Sequence, residues 1–537
     1  VTWVNVVVQG VLLGGLYALF ACGLSLLFGV MRVINLAHGD LAVLAAYLAV
    51  TLVPAMGLPA GWSIVIVLPI FAVFGYLLQR SLVQASVDRG PLTTLLVTFG
   101  LSVIIENALL AGFSADSHSI SVGSLASRSI RISGQLSIGV LSLVIFAVAV
   151  VVLLSLQYLL SRTGTGRLIR AVADDREAAR LAGVNHRHVF GVAAAIAFAT
   201  VAVAGLAFGM YSSFAPASGA SRLLFAFEAV VIGGLGSLWG TLLGGMVLGV
   251  AQAIGAQIDP ADAVLAGHAV FLAVLAFRPE GLTGRRGAAA GPRWRRPGGH
   301  LADALHAAIR PLTRAARQAA ATRRAAATGA GTTAGAGTTT GAGTAAGAPG
   351  LGLPLPSVRV TRSRRSLGWL GLGAIAIVAV LAYLPYLVYS GTTDTLVNAF
   401  ILVTLASMWN LLAGYAGQVS VGQQAFIGLG AYLVLIFAQH GLNPFTAIGV
   451  AAIGCAVIAL PVSWLVFRLR GGYFAIATWV VADAFQLVIS RFSSLGGGTG
   501  KALPGLTGID PTLLTAATYW AALAVTVLAL GGVYLLL

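Results

Sequence analysis

Apolar residues run along this chain in long blocks separated by short polar interruptions. The blocks fall near residues 5–29, 36–54, 62–79, 92–113 and 136–160, then 190–211, a glycine-broken run from 224 to 258, and 263–277. They resume at 368–389, 394–414, 420–438, 445–467, 472–490 and 516–537. A helix rising 1.5 Å per residue needs about twenty residues to cross the ~30 Å hydrocarbon layer of a bilayer, and most blocks approach that length. The pattern predicts an all-α, polytopic transmembrane helical protein with the lipid bilayer as its solvent. A hydrophobic content of 58% and a mean hydropathy of +0.95 leave too little polar surface for a soluble chain of this size.

Residues 284–365 break the pattern. LADALHAAIRPLTRAARQAAATRRAAAT suits a basic surface helix, and GAGTTTGAGTAAGAPG after it holds small residues that build no core and read as a flexible linker. The sequences on either side of this segment are related. Residues 23–50 align without gaps to 408–435, matching Leu26 with Leu411, Leu27 with Leu412, Gly29 with Gly414, Ala46 with Ala431, Tyr47 with Tyr432 and Leu48 with Leu433.

Charge adds orientation. Of a net +16, fourteen arginines lie between Arg285 and Arg365 against one acid, Asp303. Basic residues gathered in one loop mark the cytoplasmic side of a membrane protein, which disfavours nucleic acid as a partner. With that linker inside, both aligned segments run inward and then outward, so the halves are parallel repeats, the second with an extra leading helix. Arg32, the Arg80/Arg89 loop, the charged 161–188 loop, Arg468 and Arg470 then share the cytoplasmic face. One count is uneven: between the charged loop and FRPEGLTGRRG the crossings must be even, yet three blocks are clear. The run 227–254 either holds a hairpin or a second crossing broken at Gly233–Gly240. Its glycines read as close helix packing. Cys22 and Cys455 sit in apolar blocks and read as packed small hydrophobes. No charged n-region precedes the first block, so no cleaved signal peptide is expected.

The charged interruption DDREAARLAGVNHRH, residues 174–188, suits a short surface helix with Asp174 and Asp175 at its positive end and Gly183 as a left-handed stop. Physically it is either a solvated basic loop or a rigid knob that docks into a partner. Its E-A-A-x-x-x-G core resembles the coupling loop of bacterial ABC importer permeases. GLSLLFGVMRVINLAHGDL, AVADDREAARLAGV, AVVIGGLGSLWGTLLGGMVLG and FRPEGLTG are similar to the H-type permease of branched-chain amino-acid importers. NLLAGYAGQVSVGQQAFIGLGAY and FRLRGGYFAIATWVVADAFQLVI are similar to the M-type permease of the same systems.

That resemblance implies two permease halves fused in one chain: an H-type half at 1–283, a cytoplasmic linker at 284–365, and an M-type half at 366–537 that stops before its own coupling loop. It implies a bacterial plasma-membrane protein, ABC ATP-binding subunits beneath it and a solute-binding protein outside. Glu177, Ala178, Ala179, Arg180 and Gly183 would carry the coupling. It implies transport rather than catalysis, with ATP hydrolysed on the partners and no cofactor on the permease itself.

Polar residues inside the blocks are the candidates for a substrate pathway. Asn35, His38 and Asp40 open the second block; Ser420, Gln423 and Gln424 lie at corresponding places in the second half. A helix start with free N–H groups can hold a carboxylate, as broken transporter helices do; helix capping and interhelical hydrogen bonding are the competing reading. Glu106, Asn107, Asp483 and Gln486 lie in apolar blocks, where ionisable groups face a cavity or a partner. His38 alone lacks the company of a metal site. GGGTGKA (496–502) hints at a phosphate loop but lacks the glycine at 495 and the Ser/Thr at 502. The expected function is import of branched-chain or related amino acids. Import of urea or short amides by the same architecture is the sibling reading, and an ion-driven secondary transporter using Asp40 or Glu106 is the reading from another class.

Overall fold

The computed structural model describes residues 2–57, 62–133, 136–283, 364–469, 471–506 and 510–536. It forms two units, residues 1–286 together with 381–537, and residues 287–380. The linker expected at 284–365 lies outside the described residues apart from Arg364 and Arg365, which open a helix.

Among its described residues the larger unit is built of helices and connecting loops, with one short hairpin. Its first half runs α1 (Thr2–Met31), α2 (His38–Ala55), α3 (Ser63–Leu78), α4 (Gln84–Val87), α5 (Pro91–Phe113), β1 (Ser129–Ser133), β2 (Leu136–Gly139), α6 (Val140–Arg162), α7 (Gly164–Asp174), α8 (Arg176–Leu181), α9 (His186–Tyr211), α10 (Gly219–Gly233), α11 (Leu238–Ile258) and α12 (Ala263–Phe277). The second half adds α13 (Arg364–Tyr383), whose earlier residues belong to the smaller unit, then α14 (Ser390–Asn410), α15 (Gln423–Gln439), α16 (Pro444–Val466), α17 (Gly472–Ser490) and α18 (Pro511–Leu536). Among the described residues, 11 helices are long and apolar enough to span a bilayer. The chain is a multi-pass membrane protein.

One expected block is shorter at its start. Residues 136–139 form β2, paired antiparallel with β1 through Ile130 and Ile138, and the helix begins at Val140. Leu-Ser-Ile-Gly alternates apolar and polar residues with the period of a strand, and this local pattern prevails until Gly139.

The uneven crossing count has a structural answer. The run 224–258 is a hairpin of α10 and α11, broken at Gly234 and Gly236, both with positive φ. After α12 the chain returns to the broken end: Leu282 N–H donates to Ile232 O at 2.8 Å and Thr283 N–H to Gly233 O at 3.1 Å. The FRPEGLT segment thus satisfies carbonyls that the end of α10 leaves free, and α10, fifteen residues long, is the fourth segment of this region beside α9, α11 and α12, which are long and apolar enough to cross a bilayer.

Close packing of small residues sets the central contact. Gly10 and Gly14 of α1 face Gly245 and Gly249 of α11, and a Cβ at Gly14 would overlap the Met246 backbone. Such i, i+4 pairs let backbones approach where lipid supplies no hydrophobic drive between helices. The main core is shared by the halves: Phe474, Ile476 and Val480 of α17 are buried with Leu224, Phe227 and Phe271 of the first half.

Candidate translocation and coupling sites

Two helices begin inside the protein rather than at its faces. After Met31 the chain turns back, and the His38 ring meets α1 at Phe20, with Nε2 2.9 Å from the carbonyl. Because a carbonyl only accepts, that nitrogen carries the proton. Phe20 lies eleven residues before the end of α1, so α2 starts roughly 16 Å from that end at helical rise. From the opposite direction, Phe214 pairs with His118 through two backbone hydrogen bonds of 2.8 Å, and α10 then starts at Gly219. The two starts touch. A side chain at Gly219 would overlap the Asp40 carboxylate, and one at Gly39 would overlap the Gly219 carbonyl. Asp40 accepts from Ser102 of α5.

The second half repeats the first of these features. In the gapless register, His38 faces Gln423, and these residues open α2 and α15. Leu36 N–H donates to Thr98 Oγ1 at 3.2 Å; Val421 N–H donates to Thr478 Oγ1 at 3.1 Å. Asn35 Oδ1 accepts from Ala37 N–H at 3.0 Å, and Ser420 Oγ from Gly422 N–H at 3.4 Å. Each aligned pair makes the same bond in its own half.

A buried polar network crosses the seam between the halves. His268 of α12 sets Nδ1 2.5 Å from Glu228 Oε1 of α10 and Nε2 2.7 Å from Asp483 Oδ2 of α17. His268 and Glu228 are fully buried, while the Asp483 side chain is 33% exposed. Both ring nitrogens face carboxylate oxygens, so a doubly donating ring satisfies both. At one end of the same seam, Arg491 holds Asp259 at 2.9 Å and also pairs with Asp262.

The charged loop folds as two short helices. Asp175 caps α8 by accepting from the N–H groups of Glu177 and Ala178, both at 2.9 Å. At the other end Gly183 takes φ +84°, while Val184 N–H reaches Ala179 O and Gly183 N–H reaches Arg180 O, each at 3.0 Å. This double bond is the Schellman closure. Ile169, Val172 and Ala179 pack inward with residues of α1, α6 and α9. Glu177, Ala178, Arg180 and Gly183 are exposed, and Leu181 projects with 88% of its surface free. Arg176 ties the loop to the turn after α4, donating to Asp88 at 2.6 Å and to His186 Nε2 at 2.9 Å; Arg187 lies 3.5 Å from Asp88. The hydrogen bond from Arg176 holds the Asp88 carboxyl below its usual range.

The structure thus groups Asn35, His38 and Asp40, and places Asp483 in a network of its own. Glu106 lies one turn beyond Ser102 on α5 and is half-buried; Asn107 is exposed and donates back to Val103 O of its own helix at 2.8 Å. Gln423 is half-buried, and Gln424 and Gln486 are exposed. Sequence reading passed over Glu228 and His268, though each is an ionisable residue in an apolar run, the same signal that marked Glu106. Asp88 and Leu181 carried no signal of their own. Among the described residues no cluster of three metal-ligating side chains occurs.

Comparison with known proteins places this architecture. The family model described as "Branched-chain amino acid transport system / permease component" matches residues 6–277 and 391–537. The high-affinity branched-chain amino acid transport system permease protein BraD of Pseudomonas aeruginosa is 32% identical over 296 residues, covering 52% of this chain and 94% of BraD. LivH of Escherichia coli K12, a permease of the same description, is 29% identical over 291 residues, covering 52% of this chain and 94% of LivH. LivM of the same organism is 28% identical over 109 residues, 20% of this chain and 26% of LivM. No solved structure matches. Two matched segments, together well over half of the chain, show that the chain belongs to the family of permease components of branched-chain amino-acid transport systems.

Proposed function

We propose that this chain supplies both permease halves of an ABC importer for branched-chain or related amino acids, with 1–283 and 366–537 as the halves and 284–365 as a cytoplasmic linker. Separate ATP-binding subunits drive it, and an extracytoplasmic solute-binding protein delivers the solute. The observation that carries this reading is α8. It is capped at both ends, anchored by Ala179, and presents Glu177, Ala178, Arg180 and the bare Leu181 outward. A rigid knob with an exposed leucine is the shape that a cleft on a partner can grip and push. Its movement passes inward along Arg176 to Asp88, and along α7 to α1, α6 and α9.

Asn35, His38, Asp40 and Glu106 in the first half, and Ser420, Gln423 and Asp483 in the second, line the proposed route, with Asn107, Gln424 and Gln486 at its margins. Helix starts inside the membrane are where broken transporter helices hold their cargo. The test is reconstituted uptake of L-leucine by the full chain with its ATPases and binding protein. Uptake is expected to need ATP and to survive collapse of ion gradients. Uptake that follows the ion gradient without ATP overturns the reading in favour of a secondary transporter, and ATP-driven uptake of urea in place of leucine replaces the solute.

A further inference from the structure

We infer that the groove between α3 and α6, floored by α9, holds one acyl chain of an anionic phospholipid, whose phosphate sits on Arg162, Arg167 and Arg170 where α6 passes into α7. The inference goes beyond the importer reading and does not depend on the solute carried.

The groove has a volume of about 310 Å³. Leu68 and Ala72 of α3 form one wall, Val151 and Leu159 of α6 the other, and Ala199 and Val203 of α9 line the floor. Val151 to Leu159 span about 12 Å at helical rise. Both hydroxyls in the groove turn back to their own helices: Ser155 donates to Val151 O at 2.8 Å and Thr200 to Ala197 O at 2.7 Å. A polar solute or a peptide backbone therefore finds no donor there, and polar groups left bare at an apolar site are costly. A second helix, about 10–12 Å across with its side chains, does not seat in that space. An extended hydrocarbon chain fits it in shape and in chemistry.

The charged end is set by α7. Gly166 packs onto the end of α6, where a Cβ would overlap the Leu159 carbonyl, so α7 begins against the residue at which the groove closes. The inner face of α7 is Gly166, Ile169 and Val172, all buried; its outer face carries Arg167, Leu168 and Arg170, all exposed. Arg162, in the last turn of α6, is exposed at the same corner, and so is Tyr158 one turn earlier. Among the described residues none of these three arginines forms an ion pair, and Arg170 does not reach Asp174 one turn on.

Arginines interleaved with an exposed leucine and tyrosine suit the boundary between headgroups and acyl chains, where an amphipathic helix lies in the plane of the membrane. Guanidinium groups without acids attract a phosphate there. The choline of a zwitterionic lipid brings one more cation to the cluster, so an anionic headgroup is preferred. One molecule supplies both the phosphate and the hydrocarbon, each at its own end of this corner. Because α7 leads directly into α8, the lipid braces the helix on which the exposed knob stands.

The experiment places the full chain in vesicles of equal parts phosphatidylcholine and phosphatidylglycerol, with a photoreactive diazirine on the acyl chain of one lipid or the other. Labelled residues are mapped by mass spectrometry. Ser155, Leu159 and Ala199 are expected to take label from phosphatidylglycerol about threefold more than from phosphatidylcholine, whereas Ile104, exposed on α5, takes both alike. Arg162→Gln, Arg167→Gln and Arg170→Gln together are expected to bring the groove ratio to that of Ile104. Ala199→Phe, which fills the floor, is expected to lower label at Ser155 and Leu159 from both lipids. A groove ratio equal to that of Ile104 in the unsubstituted protein overturns the inference, as does a ratio that the triple variant leaves unchanged. Label at Ile104 with none in the groove shows the groove covered by protein, a second copy of this chain included, and overturns it too. Should the triple variant fail to insert, the unsubstituted protein in high salt decides: screening is expected to draw the groove ratio toward that of Ile104, and a ratio indifferent to salt overturns the inference. None of these readouts involves uptake, so failure here leaves the importer reading standing, and failure of that reading leaves this one.

Discussion

Val421 gives its backbone N–H to the hydroxyl of Thr478 at 3.1 Å, and in the aligned register Leu36 does the same to Thr98 at 3.2 Å. Each bond fixes an irregular segment that leads into a helix starting inside the protein. Backbone off its helical path at such depth requires protein partners, because lipid offers none. The repeat is therefore preserved at its most demanding place, in the bonds that make a broken helix tolerable.

Thr98→Val and Thr478→Val each keep the shape and remove the acceptor. Each is expected to destabilise by about 1–3 kcal/mol, the penalty for a buried donor left unsatisfied. Thr→Ser at either position restores most of the loss. Thermal unfolding of the purified protein checks this; equal midpoints for valine and serine variants would show that neither hydroxyl anchors its segment.

The seam network supports a second expectation. His268→Ala leaves Glu228 buried without its donor and releases Asp483 from α12, so a loss of about 3–5 kcal/mol follows from breaking one member of a buried pair. Replacing Glu228, His268 and Asp483 together with apolar residues of similar size is expected to recover stability. Arg491→Ala removes only exposed contacts with Asp259 and Asp262 and is expected to shift unfolding little. A midpoint as sensitive to Arg491 as to His268 would place the hold between the halves at the surface.

Much of this was legible in the chain. Block length gave the spans, and the gapless alignment gave helix starts that coincide at His38 and Gln423. The acidic start at Asp175 and the stop at Gly183 followed from residue types whose conformational preference is local, whereas Asp174, expected at the same start, ends α7 instead. The contacts between segments were hidden. Nothing in FEAVVIGG says that Glu228 meets His268 forty residues on, or that both meet Asp483 in the other half. The depth at which α2 begins was equally silent, because an apolar block looks the same whether it starts at a face or beside Phe20. Arg162, Arg167 and Arg170 stood in plain view, but the groove beside them is a property of the packed structure.

Gly183 separates docking from folding. Its φ of +84° costs a residue with a side chain roughly 1–2 kcal/mol. No atom lies within 4 Å of where a Cβ would stand, so the penalty is conformational and local. Gly183→Asp is expected to loosen the end of α8, reduce co-purification of the ATPase and abolish uptake, with the unfolding midpoint of the permease unchanged. Full co-purification and uptake would remove α8 from the coupling.

The Asp88–Arg176 pair is the joint between α8 and the rest of the bundle, and acid should open it. Asp88 has its pKa lowered in the folded protein, first by the hydrogen bond from Arg176. A lowered carboxylate contributes its stabilisation fully above the unfolded value, near 3.9, and loses it as pH falls through the folded value. Between about pH 5 and 8 the Asp88 carboxylate therefore keeps its charge, and any change at this joint in that window comes from the neighbouring His186 imidazole, which accepts from Arg176. Asp88→Asn removes the charge at every pH, and the expected result is normal insertion with fewer solutes carried per ATP. Reversing Arg176 alone leaves Asp88 beside a new acid and takes from His186 its donor, and is expected to be worse than either neutral change. Exchanging the two, Asp88→Arg with Arg176→Asp, restores an ion pair at the same joint. Recovery of coupling in the exchange, measured as leucine imported per ATP, distinguishes a mechanical link from two independent surface charges; coupling as poor in the exchange as in Arg176→Asp alone would show that this joint transmits nothing.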